Sequence, residues 1–243
     1  MEKTFPAELD GAMEHAYAQA RAAFRYLWRE LTWEYRRIIP ALELAVVKVP
    51  FSDPGHADVE VMWVEQVMFD GRRVQGSLLN APNTLSSVRQ GDPVDVPLEQ
   101  IADWMYVLDG QVYGAWTVQL IRWRMSAGDR REHDEAWGFE FPDPETVQLS
   151  PWGDEEHPMS RNMAPEFLRM ADAELARHLA PGADGWTTMH SLALGGSAAC
   201  VEALLERGAD PKLKLPDGRS VLDLATGMGW QQVIEVLRRH DAT

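Results

Sequence analysis

The side chains best suited to gather around an ion are His133, Asp134 and Glu135, followed by Glu155, Glu156 and His157. Oxygen-rich groups of this kind could hold calcium or magnesium. Their spacing argues against it, because no calcium-loop pattern, His-x-x-x-His or His-Glu-x-x-His occurs. Acidic stretches are ordinarily solvated, so no metal is expected. Cys200 is the only cysteine. It excludes an intramolecular disulfide and a multi-cysteine zinc site. With no base beside it, it reads as a small buried thiol. Gly-x-Gly-x-x-Gly, the P-loop and Gly-x-Ser-x-Gly are all missing. Neither a catalytic residue nor a cofactor is expected, and the reading is of a protein that is not an enzyme.

What remains is the chemistry of recognition. The 243 residues carry a formal charge of -15. That disfavours nucleic acid or an anionic membrane surface as a direct partner and favours a basic protein. The charge is concentrated, since residues 126–162 hold ten acidic against three basic side chains. Tryptophans are set among these acids or near later turns. Acids would steer a cationic partner and tryptophans would hold it. The expected contact set is Glu132, Asp134, Glu135, Asp154, Glu155 and Glu156, with Trp137, Trp152, Trp186 and Trp230. Trp137 and Trp152 are expected to be exposed.

These residues need elements to position them. Phe24, Leu27, Trp28, Leu31, Tyr35 and Ile38 recur at helical spacing, and Pro40 predicts a stop near Ile39. Residues 44–49 are short and β-branched. In the next strand Val59, Val61, Trp63 and Val67 fall on odd positions, with Met62 and Val64 blurring the alternation. Asp70-Gly71 and Asp109-Gly110 read as hairpin turns. Residues 1–125 are therefore expected to form an N-terminal helix on one face of an antiparallel sheet, an α+β domain. Residues 126–162 read as an acidic, proline-containing connector. Residues 163–243 return to helical period, with Phe167, Leu168, Ala171, Leu175 and Leu179 on one predicted helix over 165–179. Asp184-Gly185-Trp186-Thr187-Thr188-Met189-His190 then recurs 33 residues later as Asp217-Gly218-Arg219-Ser220-Val221-Leu222-Asp223. A repeat of that period predicts stacked helix pairs.

Residues 184–240 resemble ankyrin repeats, on Gly185-x-Thr187-x-Met189-His190, Gly196 and Leu204-Leu205-x-x-Gly208-Ala209-Asp210. The resemblance implies that His190 bonds backbone groups, and that helix 165–179 caps one end of the stack. Residues 44–122 resemble the YegJ-like family, a bacterial family of uncharacterised function. The carrying residues are Met62-Trp63-Val64, Gly76-x-Leu78-x-Asn80-x-Pro82, Gly91-Asp92-x-Val94 and Ile101-x-Asp103-Trp104-Met105-Tyr106. Where that family tends to place a histidine and an arginine, this chain has Val61 and Gln119 or Leu120.

In that pattern Asp103 and Asn80 could form a small polar site. The structural reading makes Asp103 a cap, Asn80 part of a turn and Trp104 core. It is preferred because a lone Asp without a His or second acid does little catalysis. The functional expectation is a binding protein that occludes the basic face of its partner. A bacterial immunity protein against a cytoplasm-acting toxin fits, such as a nuclease delivered by contact-dependent secretion (type VI included). The alternatives are an ankyrin scaffold without a toxin partner, or a small-ligand or enzymatic domain in residues 41–125. No secretory leader or membrane span is visible, and a cytoplasmic location is expected.

Overall fold

A computed structural model describes residues 7–55 and 58–241. The chain divides into two compact units. One comprises residues up to Leu27 with Arg37–Pro151, and the other comprises Trp28–Arg36 with everything from Trp152 onward. The division falls inside the segment expected to be a connector.

The first unit is built on a six-stranded antiparallel sheet. Its strands are β1 (Leu42–Phe51), β2 (Glu60–Phe69), β3 (Arg73–Leu78), β4 (Pro93–Pro97), β5 (Asp103–Leu108) and β6 (Gln111–Gly114), in the order β4-β3-β2-β1-β5-β6. Both expected hairpins form. At Asp70-Gly71 the aspartate carboxylate accepts the backbone N–H groups of Arg72 and Arg73. At Asp109-Gly110 both residues have positive φ, 50° and 75°, as a turn that follows the twist of its strands requires.

Strand β2 departs from the expected parity. Val59 and Val61 are exposed, whereas Met62 and Val64 are buried, followed by Val67 and Phe69. Gln66 has φ 55°, and the β2–β3 register shifts between Glu65 and Met68. This bulge moves the buried set from even to odd positions.

The sheet is covered on both faces, not one. The helix α1 (Ala7–Glu34) lies on the first, with Phe24 edge-on to Phe69 at 5.0 Å and the Trp104 indole donating to the Ala20 carbonyl at 2.7 Å. On the second, Val46, Met105, Val107 and Val112 pack with Ala115 and Val118 of the chain entering α2 (Trp116–Arg124). Trp137, Phe139 and Phe141 pack against that cluster. This two-sided burial explains why β5 reads as a nearly continuous apolar run. Helix α1 also ends earlier than Pro40 suggested, at Glu34. Tyr35, Ile38 and Ile39 lie outside it and are exposed.

The supposed connector contains a helix, α3 (Ala127–Trp137), capped by the Ser126 side chain. In the second unit the helix expected over 165–179 is two helices, α4 (Pro158–Arg169) and α5 (Asp172–Leu179). Extended backbone at Met170 and Ala171 separates them, and it leaves Leu168 and Ala171 exposed. The repeats follow as α6 (Thr188–Leu194) with α7 (Ala198–Glu206), and α8 (Val221–Met228) with α9 (Gln231–Asp241). Helices α5, α6 and α8 form one row, and α4, α7 and α9 the other.

The 33-residue period is visible in the caps. Thr187 and His190 form a capping box at α6, and Ser220 and Asp223 form the equivalent at α8. Aspartate in place of histidine thus keeps the same backbone bond. Gly196 and Gly229 are both left-handed, with φ 76° and 69°. A Cβ on Gly196 would come within 2.7 Å of the Trp230 ring.

The β3–β4 connection is held by two carboxylates. Glu60 accepts the N–H groups of Asn83, Thr84 and Leu85, and Asp53 those of Ser86 and Ser87. Hydrogen bonds from Thr84 and Asn83 lower the Glu60 carboxyl from 4.5 to about 2. Asp53 is lowered too, chiefly by Ser87 and Ser86. Both titrate lower in the fold than in the open chain. Their contribution is complete above the open-chain value and is lost as pH falls through the folded one. NMR shifts of the Thr84 and Ser86 amides in the folded chain should therefore stay constant from neutrality down to about pH 4, and move only at lower pH. A transition of the Thr84 amide centred at or above the ordinary Glu60 value of 4.5 would contradict these bonds.

Candidate functional site

The least ordinary polar group in the first unit is Asp103, which is fully buried on β5. Lys48 of β1 is its register partner, and on its other side Lys48 faces Trp63 of β2. Strand β6 ends at Gly114 with φ 75°, and Ala115 follows at φ 61°. A Cβ at Gly114 would meet the Trp104 ring at 2.4 Å, so the chain turns there with no side chain. The turn aims the start of α2 at Asp103. The carboxylate accepts the N–H groups of Trp116 (3.0 Å) and Thr117 (2.7 Å), the Thr117 hydroxyl (2.6 Å) and the N–H of Trp104 (2.8 Å). A helix start leaves such donors without partners, and Ala115 at the cap position supplies no side-chain bond. Asp103 takes that role from a neighbouring strand.

Lys48 completes the group. Its amine donates to Thr117 Oγ1 at 3.0 Å and lies 4.6 Å from the Trp63 ring centre. Burial pushes the Asp103 carboxyl up, while Lys48 and the Thr117 bonds pull it down. Burial pulls the Lys48 amine below its ordinary value, and Asp103 opposes that. Asn80 is used elsewhere, accepting the Trp63 N–H at 3.0 Å. The polar pair suggested by sequence is thus two separate structural anchors. A groove of about 420 Å³ in this unit is lined by Ala12, His15, Gln19, Trp116, Leu120 and Glu145 among others, and its lining includes none of Lys48, Asn80 and Asp103.

The residues proposed from charge divide between the units. On α3, Glu132 and Glu135 are exposed. Asp134 is half-buried and held by the Nε and Nη2 edge of the Arg122 guanidinium, at 2.8 and 2.6 Å, and by His133 at 2.9 Å. Burial alone would raise the Asp134 carboxyl, but the bonds from Arg122 and His133 outweigh it and hold it low. Trp137 is not an exposed anchor. It is half-buried, edge-on to Trp63 at 6.4 Å and to Phe141 at 6.1 Å.

In the second unit Trp152 is half-buried against His157 at 5.6 Å. His157 is itself buried, stacked on Trp33 and 3.3 Å from the Glu30 carboxylate. Arg29, also buried, donates to the carbonyls of Gly153 and Glu155 at 3.0 and 2.6 Å. Glu156 is half-buried, accepting the Ala199 N–H at 2.7 Å and the Ser160 hydroxyl. Asp154 and Glu155 are exposed, and Glu155 pairs with Arg161 at 3.4 Å. Trp186 is half-buried beside His190. Trp230 does not belong in a contact set, because it is buried and its indole donates to the Leu194 carbonyl at 3.0 Å. His190 contacts the Leu213 carbonyl at 3.2 Å, as the ankyrin resemblance implied. Cys200 is buried beside the Ser160 carbonyl, and burial pushes its thiol up to about 11.

Sequence reasoning missed the Arg29–Glu30–His157 group. Charged residues on an aromatic-rich helix face were the available signal, but their partners lie more than a hundred residues away.

Comparison with known proteins places these features. Residues 10–141, over half the chain, match the family described as "Uncharacterized protein conserved in bacteria (DUF2314)", and residues 184–214 match the ankyrin repeat. A protein of Neisseria meningitidis serogroup B, named as an ankyrin repeat protein, is 41% identical over 243 residues, covering 96% of each chain. The uncharacterized protein YegJ of Escherichia coli is 31% identical over 72 residues, covering 30% of this chain and 46% of its own length.

The Asp103 geometry fixes an expected outcome. Asp103→Ala strips α2 of its cap and leaves the Lys48 amine without its counter-charge, and should cost about 3 kcal/mol or more in urea unfolding. Asp103→Asn should cost less, and adding Lys48→Met to Asp103→Ala should restore part of the loss. A change within about 0.5 kcal/mol for Asp103→Ala would show that the carboxylate does not hold the helix.

Proposed function

The chain belongs to the DUF2314 family of proteins conserved in bacteria, with ankyrin-type repeats behind that domain, and from this premise we propose that it acts by binding a cationic protein. An ankyrin repeat supports a protein partner, because stacked repeats present an extended surface. The partner's charge is inferred from the chain's own. The observation that carries it is α3, where Asp129, Glu132 and Glu135 are exposed. Arg130 on the same helix turns back to the carbonyls of Arg122 and Met125, while Arg122 is buried against Asp134. Folding thus occupies Arg122 and Arg130, and the charges left exposed on α3 are three carboxylates against one cation, Arg131.

Occlusion is the mechanism this supports. An acidic face covers the working surface of a basic protein, and no bond is made or broken. A toxin that acts on nucleic acid must carry such a surface to bind phosphate. An immunity protein that neutralises it gains from rapid, charge-steered capture. No helix among the described residues is long and apolar enough to cross a membrane.

Co-expression of the full chain with the products of genes adjacent to its own should yield a stable complex with a basic protein and relieve any growth defect that protein causes. In that complex Glu132→Lys with Glu135→Lys should slow association about tenfold at low salt and flatten its salt dependence. An unchanged association rate would remove α3 as the steering surface. Recovery of a complex in which no partner carries a basic surface, or turnover of a small molecule by the purified chain, would overturn the reading.

A further inference from the structure

The second repeat presents a face that the first repeat hides. The 33-residue shift pairs Ser220 with Thr187, Leu222 with Met189, Leu237 with Leu204 and Arg238 with Leu205. Thr187, Met189, Leu204 and Leu205 are all buried, and α8 packs on α6 and α9 on α7. In the second repeat Ser220 and Leu222 are only half-buried, and Arg238 is exposed. They line a cavity of about 350 Å³ together with Leu237, Pro211, Lys212 and Lys214.

The cavity combines two chemistries. Its floor is aliphatic, from Leu222, Leu237 and Pro211. Its rim is cationic, with Lys212, Lys214 and Arg238 all exposed, and no carboxylate is among the described residues of its lining. Two acids close in sequence make local bonds. Asp223 holds the N–H and hydroxyl of Ser220, with Lys214 and Arg219 adding to the field on it, and Asp210 accepts the Lys212 N–H. Arg239, next in sequence, pairs with Glu202 at 3.1 Å. On a chain of net charge -15 such a patch is a local exception.

We propose that this cavity docks an acidic segment of a partner protein that inserts one bulky apolar side chain. Charge complementarity with Lys214 and Arg238 chooses the acidic flanks, and the aliphatic floor chooses the anchor. The volume lies at the lower end of ligand pockets, about 300–1,000 Å³, and suits a single large side chain with its neighbours. Nucleic acid would gain from the cations but leave the apolar floor empty, and the net charge of the chain would repel it. This surface has the opposite charge preference to α3, so it can stand or fall independently of the reading above.

Fluorescence anisotropy with the full chain tests it. The probe is a fluorescein-labelled dodecapeptide of Glu and Asp around a central Trp. Controls replace the acids by Lys, or the Trp by Ser, and a further arm uses a single-stranded oligonucleotide. The acidic, Trp-containing peptide should bind in a saturable way, weaken with added salt, and lose about tenfold or more in affinity on Lys214→Glu with Arg238→Glu. Both substitutions are on exposed side chains, and an unchanged thermal transition would confirm that the fold persists. Leu222→Asp should reduce affinity independently by removing the apolar floor. Equal binding of the Lys peptide, equal binding without the Trp, indifference to the charge reversals, stronger binding of the oligonucleotide, or occupation of the site by a second copy in sedimentation would each overturn the proposal.

Discussion

The first unit depends on a carboxylate with no access to water. Asp103 gathers the amides at the start of α2, the Thr117 hydroxyl and the field of Lys48 in one place. A buried charge is costly unless fully paired, and here the pairing fixes where a helix begins. From that point α2 covers the second face of the sheet, Arg122 on α2 fixes Asp134, and α3 is held with its remaining carboxylates outward. The acidic surface proposed for partner capture therefore depends on one interior anchor, several steps removed from it.

The second unit solves the same problem with other residues. Arg29 and Glu30 on the last turns of α1 engage the carbonyls and imidazole of the segment from Gly153 to His157. The repeats then build on one another by a repeated capping device, in which Thr187 with His190 and Ser220 with Asp223 supply the same backbone bonds with different chemistry. What changes between the copies is the outward side. Leu205 becomes Arg238, and a position that is buried in one copy becomes a cation at the mouth of a cavity in the next.

Local rules made much of this readable from the residues. Asp-Gly pairs set both hairpins, helical spacing gave α1, and the 33-residue period gave α6 to α9. The cap role of Asp103 was also legible, because a single acid without a partner for proton transfer has few other uses. The failures share a cause, which is that each depended on a distant residue. The Gln66 bulge reverses the buried parity of β2 because β3 pairs across it. Trp137 looked like an exposed anchor in an acidic segment until the sheet supplied Trp63 beneath it. Trp230 looked like a surface tryptophan until Gly196 made room for its ring. Composition assigned residues 126–162 to a connector because charge lowers mean hydropathy, yet an N-cap at Ser126 and a few aromatics were enough to fold part of it.

Hydrogen–deuterium exchange on the chain, alone and with the cationic protein proposed as its partner, is the decisive measurement. Exchange should slow along α3, centred on the turn that carries Glu132 and Glu135, and that protection should fade as salt rises. Protection absent from α3, or present there and insensitive to salt, would contradict it.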